Sequence, residues 1–204
     1  MNLRFASFLL LGLSLSTVPA FSQNDLYDNG PTNGTNYAWT ITFGFAVSDS
    51  FLLSNASTVN SLDFASWVEP GFVLETSEVA ITSSEFGGTT YFDQTVSFVQ
   101  SNCTLNDMGY NVCLETGSFP GINLPPGTYW LTLKDALGNR PGLYFWDENA
   151  GPSLASENSV GTIPSESFTV NGHAASTTTP EPTNIALLGS GLLGIAWIFR
   201  RRLL

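Results

Sequence analysis

Residues 37–48 alternate without a break between bulky and small side chains. Tyr37, Trp39, Ile41, Phe43, Phe45 and Val47 share one parity, and Ala, Thr, Thr, Gly, Ala and Ser fill the other. A period of two places each set on its own face of a β-strand, whereas a helix would scatter the aromatics around its circumference. The pattern predicts one strand over 37–48 with its bulky face buried. Shorter strand-like runs follow at 59–68, 72–82, 89–100, 109–119, 128–134, 143–146 and 165–170. Turn chemistry separates them at Pro70-Gly71, Gly87-Gly88, 106–109, Pro125-Pro126-Gly127, 138–142 and Gly151-Pro152. No 3.6-residue apolar rhythm appears before the C-terminus, and no repeat at propeller or solenoid spacing. The expectation is an all-β domain: an antiparallel sandwich or jelly roll of about eight strands.

Both ends break this rhythm. The N-terminus carries Arg4, an apolar stretch over 5–15, Pro19, and the small residues Ala20 and Ser22. That is the layout of a secretory signal peptide over 1–22, cleaved after Ser22 with Ala20 as the alternative. Read instead as a buried strand or helix, the same stretch would lead straight into polar, turn-rich sequence with nothing adjacent to pack on. At the other end, residues 173–179 are small and polar and read as a Thr-rich linker. Residues 183–199 then contain no charge, enough for a helix of roughly 25 Å, at the short end of what spans a bilayer. Arg200, Arg201 and Arg202 follow at once and are expected to stay on the cytoplasmic side.

Charge sharpens the picture once these ends are set aside. Between residues 23 and 179 there are sixteen carboxylates and two cations, Lys134 and Arg140, a net of −14. Such a surface repels phosphate backbones, which argues against a nucleic-acid partner. Cys103 and Cys113 are the two cysteines, with nine residues between them. In an exported chain a close pair is most simply a structural disulfide. A metal pair lacks a nearby histidine, since the one histidine is His173, and a redox pair would be spaced more closely.

The tail carries a resemblance. Pro180-Glu181-Pro182, an apolar segment rich in Leu and Gly, and a terminal arginine cluster together resemble the PEP-CTERM sorting signal of Gram-negative bacteria. The resemblance covers residues 180–204. It implies processing near Pro180, Glu181 and Pro182 by an exosortase, a membrane-embedded cysteine transpeptidase. It also implies a transient inner-membrane span and delivery of the domain over 23–172 to the cell surface or extracellular matrix, in an exopolysaccharide context. The prolines suit such a role, because they exclude helix and hold an extended strip. An ordinary single-span anchor is the plainer alternative. YDNGPTNGTNYAW, LPPGTYWLTL and WDENAGPSLASE also resemble β-sandwich domains that precede such tails, which adds fold support and no chemistry.

Catalysis finds little purchase. A serine triad needs a histidine base, and His173 falls at the start of the linker. No phosphate loop or zinc spacing is present, and no pair among the many acids stands out as a glycosidase pair. The expectation is a non-enzyme. Binding has two candidates. Trp130 and Trp146 are the aromatics best placed for stacking on a glycan, which would make the domain lectin-like. Trp39 falls on the buried parity. Asp28, Asn29, Asp147, Glu148 and Asn149 offer hard oxygen ligands in loops, suited to calcium if they meet in space. A surface or matrix constituent with no small ligand is the third reading.

Overall fold

The computed structural model describes residues 24–175, and within them every regular element is a β-strand. The predicted signal peptide, most of the linker, the Pro180–Pro182 motif, the apolar run and the arginine cluster lie outside the described residues. Twelve strands form the domain. They are β1 (Asn24–Asp28), β2 (Ala38–Thr40), β3 (Ala46–Leu53), β4 (Ser57–Val68), β5 (Leu74–Ser84) and β6 (Gly87–Leu105). The rest are β7 (Asn111–Leu124), β8 (Gly127–Gly138), β9 (Phe145–Asp147), β10 (Ala155–Glu157), β11 (Gly161–Ile163) and β12 (Phe168–Ala174). All pairings are antiparallel, in the order β1-β12-β4-β7-β6-β5-β8-β3-β10-β11, with β9 joining β2 to β4.

The long strand β6 turns this order into two layers. Its first part pairs with β5, through Thr76↔Ser97, and its last part pairs with β7, from Phe98↔Gly117 to Leu105↔Asn111. The change of partner curls the sheet back on itself, so the two halves face each other in a sandwich-like arrangement. Inward-facing side chains alternate along the strands, as a period of two requires. Phe64, Phe98, Trp146 and Phe168 come from one half; Val47, Phe51, Ile81, Leu131 and Leu133 come from the other. Tyr27 bridges them, with ring centroids 6.1 Å from Phe51 and 5.6 Å from Phe168. Phe168 continues to Trp146 at 5.6 Å, and Trp146 to Phe64 at 6.0 Å. These spacings suit tilted and edge-to-face contacts, which add to the burial term.

The strand predicted over 37–48 is two strands. The stretch leaves one half as β2 and enters the other as β3, through a tight turn in which the Phe45 amide donates to the Thr42 carbonyl at 3.1 Å. Phe43 (φ +56°) and Gly44 (φ +88°) occupy the centre, the signature of a type I′ turn. Glycine takes this conformation without strain; Phe43 takes it at a cost and is 73% exposed. Ile41 and Val47 are buried as expected, but Tyr37, Phe43 and Phe45 are exposed. The alternation therefore spans a crossover, not a single pleat. The predicted linker start is also shifted. His173 and Ala174 belong to β12, where they pair with Thr58 and Ser57. Strands β1, β10 and β11 are too short and polar to have left a recognisable period.

The predicted disulfide is present. Cys103 and Cys113 are bonded across the β6–β7 hairpin, with Cα atoms 4.1 Å apart. Its loop is ordered by Asn106, whose side-chain oxygen accepts from the amides of Met108 (3.1 Å) and Tyr110 (3.0 Å). The Asn106 side-chain nitrogen Nδ2 donates to the Gly34 carbonyl at 3.1 Å and ties the hairpin to the N-terminal loop. Replacing both cysteines with serine is expected to cost roughly 3 kcal/mol, the loop-closure entropy of so short a loop. Urea denaturation of the double variant against the oxidised parent measures it. A loss below about 0.5 kcal/mol would mean the hairpin is already fixed by its turn.

Candidate functional site

Two surroundings concentrate polar and aromatic groups. The first is a buried polar clasp at one end of the sandwich. Asn29 follows β1 with no exposed surface, and its side-chain nitrogen lies 2.6 Å from Ser165 Oγ, 2.6 Å from the Glu166 carbonyl and 2.7 Å from Ser153 Oγ. Asp49 Oδ2 is 3.3 Å away. Two N–H groups thus serve four acceptors from three segments. Tyr27 Oη donates to Asn29 Oδ1 at 2.7 Å, and Asn149 donates from Nδ2 to the Asn29 carbonyl at 2.9 Å. The clasp therefore links the first strand to the last third of the chain.

The five residues predicted as calcium ligands are partly gathered here, but they already act as hydrogen-bond partners. Asp147 is fully buried and accepts from Trp67 Nε1 (2.6 Å), the Gly34 amide (2.9 Å) and the Asn33 amide (2.7 Å). Glu148 accepts from Trp39 Nε1 at 3.1 Å. Asp28 sits on the surface and accepts from the Gly30 amide. Asn149 Oδ1 accepts from the Gly151 amide. Among the described residues no group of three or more His, Cys, Asp or Glu is arranged to hold a metal ion. In this fold these residues close loops onto strands.

Four buried carboxylates were not anticipated: Asp49, Glu115, Glu166 and Glu157. Glu157 accepts from the Ser159 hydroxyl at 2.6 Å and from the Ser159 and Val160 amides. Asp49 lies on β3 between the inward-facing Val47 and Phe51, and its Oδ2 accepts from the Glu166 amide at 2.7 Å. Glu115 lies on β7 opposite Phe64, and one oxygen accepts from Ser66 Oγ at 2.7 Å. Glu166 forms an isolated bridge with Glu148, and neither of its side-chain oxygens has a hydrogen-bond partner among the described residues. Burial raises the carboxyls of Asp49, Glu115 and Glu166, because the charged form loses its hydration. Asp49 is pushed up to about 6 and Glu115 to about 7, while Glu166, also repelled by Asp49, Glu148 and Asp147, rises well above the ordinary glutamate value.

The second surrounding is aromatic. Trp146, one of the two tryptophans predicted to stack on a glycan, has no exposed surface. It lies between Phe64 and Phe168, and its indole donates to the Ser167 carbonyl at 2.9 Å. Its ring faces belong to the core, so it offers none to a sugar. Trp130 is half-buried on the outward face of β8, between Ser50 of β3 and Thr82 of β5, as the parity of 128–134 predicts. The larger exposed aromatic group is elsewhere. On the outer side of β2, β4 and β9, a hollow of about 170 Å³ is lined by Tyr37, Ala38, Trp67, Met108, Tyr110 and Phe145. Trp67 lies 5.9 Å from Tyr110, and Tyr110 stands edge-on to Phe145 at 5.6 Å. Sequence parity missed this hollow because its members come from separate strands and two loops. No protein-family model matches the chain, and comparison with curated proteins finds no match.

Proposed function

We propose that the chain is an exported envelope protein of a Gram-negative bacterium, delivered through a PEP-CTERM signal and trimmed by an exosortase. Its β domain is a non-catalytic binding or structural module displayed at the cell surface or in an exopolysaccharide matrix. The observation that carries this reading is the order of three features at the C-terminus: Pro180-Glu181-Pro182, an uncharged stretch, then Arg200, Arg201 and Arg202. The physical logic is a stop-transfer. Apolar residues partition into the bilayer, arginines resist crossing it, and the prolines keep the segment just outside extended. The Cys103–Cys113 disulfide agrees with an oxidising destination.

Intact mass spectrometry of protein extracted from the cell surface tests the route. The expected mature species lacks both the first 22 residues and the C-terminal segment that carries Arg200, Arg201 and Arg202. A surface species that still contains the arginines would replace sorting with a permanent single-span anchor. A lectin-like activity is the second reading of the domain, favoured by the aromatic hollow on the outer side of β2, β4 and β9.

A further inference from the structure

We infer that the hollow between β2, β9 and the β6–β7 hairpin loop is a binding site for a neutral pyranose sugar. This inference rests on the reading of the domain as a binding module and is independent of how the tail is processed.

The hollow exists because a small residue stands among large ones. Ala38 and Phe145 lie on the outward face of β2 and β9, and Trp67 lies beside Phe145 on β4. The β6–β7 loop leans over them and brings Met108 and Tyr110 to the rim. Tyr37 completes the rim from the other side, packed on Trp39 with centroids 5.0 Å apart. Tyr37 is 53% exposed and Met108 57%, whereas Trp67 forms a floor at 4%. An apolar floor with amphipathic rings at the mouth is the usual composition of a small-ligand site.

The chemistry selects the ligand class. A pyranose has an apolar C–H face, which an aromatic ring covers, and an equatorial rim of hydroxyls, which needs hydrogen-bond partners. The rim phenols of Tyr37 and Tyr110 provide such partners, and no described residue hydrogen-bonds either hydroxyl. An acidic sugar would meet the field of a domain with sixteen carboxylates and two cations. A quaternary ammonium could also sit against aromatic faces. Its methyl groups offer no hydrogen bond to the rim phenols, so a pyranose is the ligand that uses both the rings and the hydroxyls. The neutral ring is what remains, and the volume suits one residue of a chain.

The test titrates the full-length chain, held in phosphatidylglycerol nanodiscs, with four probes: maltotriose, cellotriose, trigalacturonate and choline chloride. Trp67 in the floor makes intrinsic fluorescence the first readout, with calorimetry as the second. At least one neutral trisaccharide is expected to bind and the other two probes are not. Ala38→Leu fills the hollow while leaving every aromatic in place, and it is expected to weaken binding at least tenfold. Tyr37→Ala, at an exposed rim position, should weaken it similarly, and an unchanged melting temperature shows that each variant is folded. Trp130→Ala is expected to change affinity less than twofold. Binding lost in Trp130→Ala but retained in Ala38→Leu would overturn the site while leaving a binding module. Preferential binding of choline or trigalacturonate would overturn the ligand class. No binding by any probe would overturn the inference and favour a purely structural domain.

Discussion

Lowering the pH from 8 to 5 will stabilise this protein and raise its melting temperature by about 6–12 °C, the shift expected for roughly 3 kcal/mol in a domain of this size. The direction follows from Asp49, Glu115 and Glu166. Their carboxyls are held above their unfolded values by burial, to about 6 for Asp49 and about 7 for Glu115. The folded state therefore binds protons that the unfolded state has already released, and stability falls as pH rises. The contribution is complete below about pH 4, where both states are protonated, and is lost as pH climbs through 6 and 7. Glu115 alone, moved from 4.5 to about 7, accounts for roughly 2.5 kcal/mol between pH 5 and pH 8. Asp49 and Glu166 add to it with the same sign, so about 3 kcal/mol is the smaller end of the combined effect. Self-repulsion among the surface acids acts in the same direction.

Glu115→Gln isolates the effect. One Glu115 oxygen accepts from Ser66 and the other has no hydrogen-bond partner among the described residues, so its charge is poorly compensated. The variant should be more stable than the parent at pH 8, about equal to it at pH 5, and should show a flatter dependence between them. Thermal melts monitored by circular dichroism across this range decide the matter. A parent protein that loses stability on acidification to pH 5 would show that these carboxylates are hydrated, contrary to their burial.

Asn29→Leu is expected to be the most damaging single substitution in the clasp, at about 4 kcal/mol, because several buried acceptors lose their donor together. The Asn29 side chain serves Asp49, Ser153, Ser165 and the Glu166 carbonyl from one amide, and leucine can replace none of these bonds. Its own carbonyl would still accept from Asn149, so the loop is weakened at its side-chain anchor and not at its backbone. The neighbouring Asp28→Ala, at an exposed position, should change stability by less than about 0.5 kcal/mol. Asn29→Asp supplies a sharper control. It places a second carboxylate beside Asp49, so its penalty should be larger at pH 8 than at pH 5. Chemical denaturation at both pH values measures all three variants, and equal losses for Asp28→Ala and Asn29→Leu would show that the clasp carries no special weight.

The hairpin disulfide and the all-β class were both legible in the chain. Close cysteines flanking Asn106–Gly109 leave little choice of partner, and period-two runs between glycine and proline turns are what antiparallel strands require. The region 37–48 misled for a physical reason. Parity persists through a two-residue turn, since the turn adds an even number of residues, so alternation alone cannot distinguish a strand from a strand, a turn and another strand. Gly44 was the signal, and its left-handed backbone is what makes the turn. The buried carboxylates left a similar trace. Asp49 interrupts the apolar parity of Val47 and Phe51, and a charged residue at such a position announces a polar core.

Local pattern determined the all-β class, most of the longer strands and which cysteines join, because backbone geometry couples neighbouring residues along the chain. The tertiary structure alone decided that β6 changes partners and folds the sheet over. It also decided that Trp146 is sealed inside, and that Asn29 meets residues more than a hundred positions away. It brought Tyr37, Trp67, Tyr110 and Phe145 around one hollow. Such meetings depend on how strands from distant parts of the chain are ordered and on which side of a sheet each face comes to lie, and neither is written in the spacing of adjacent residues.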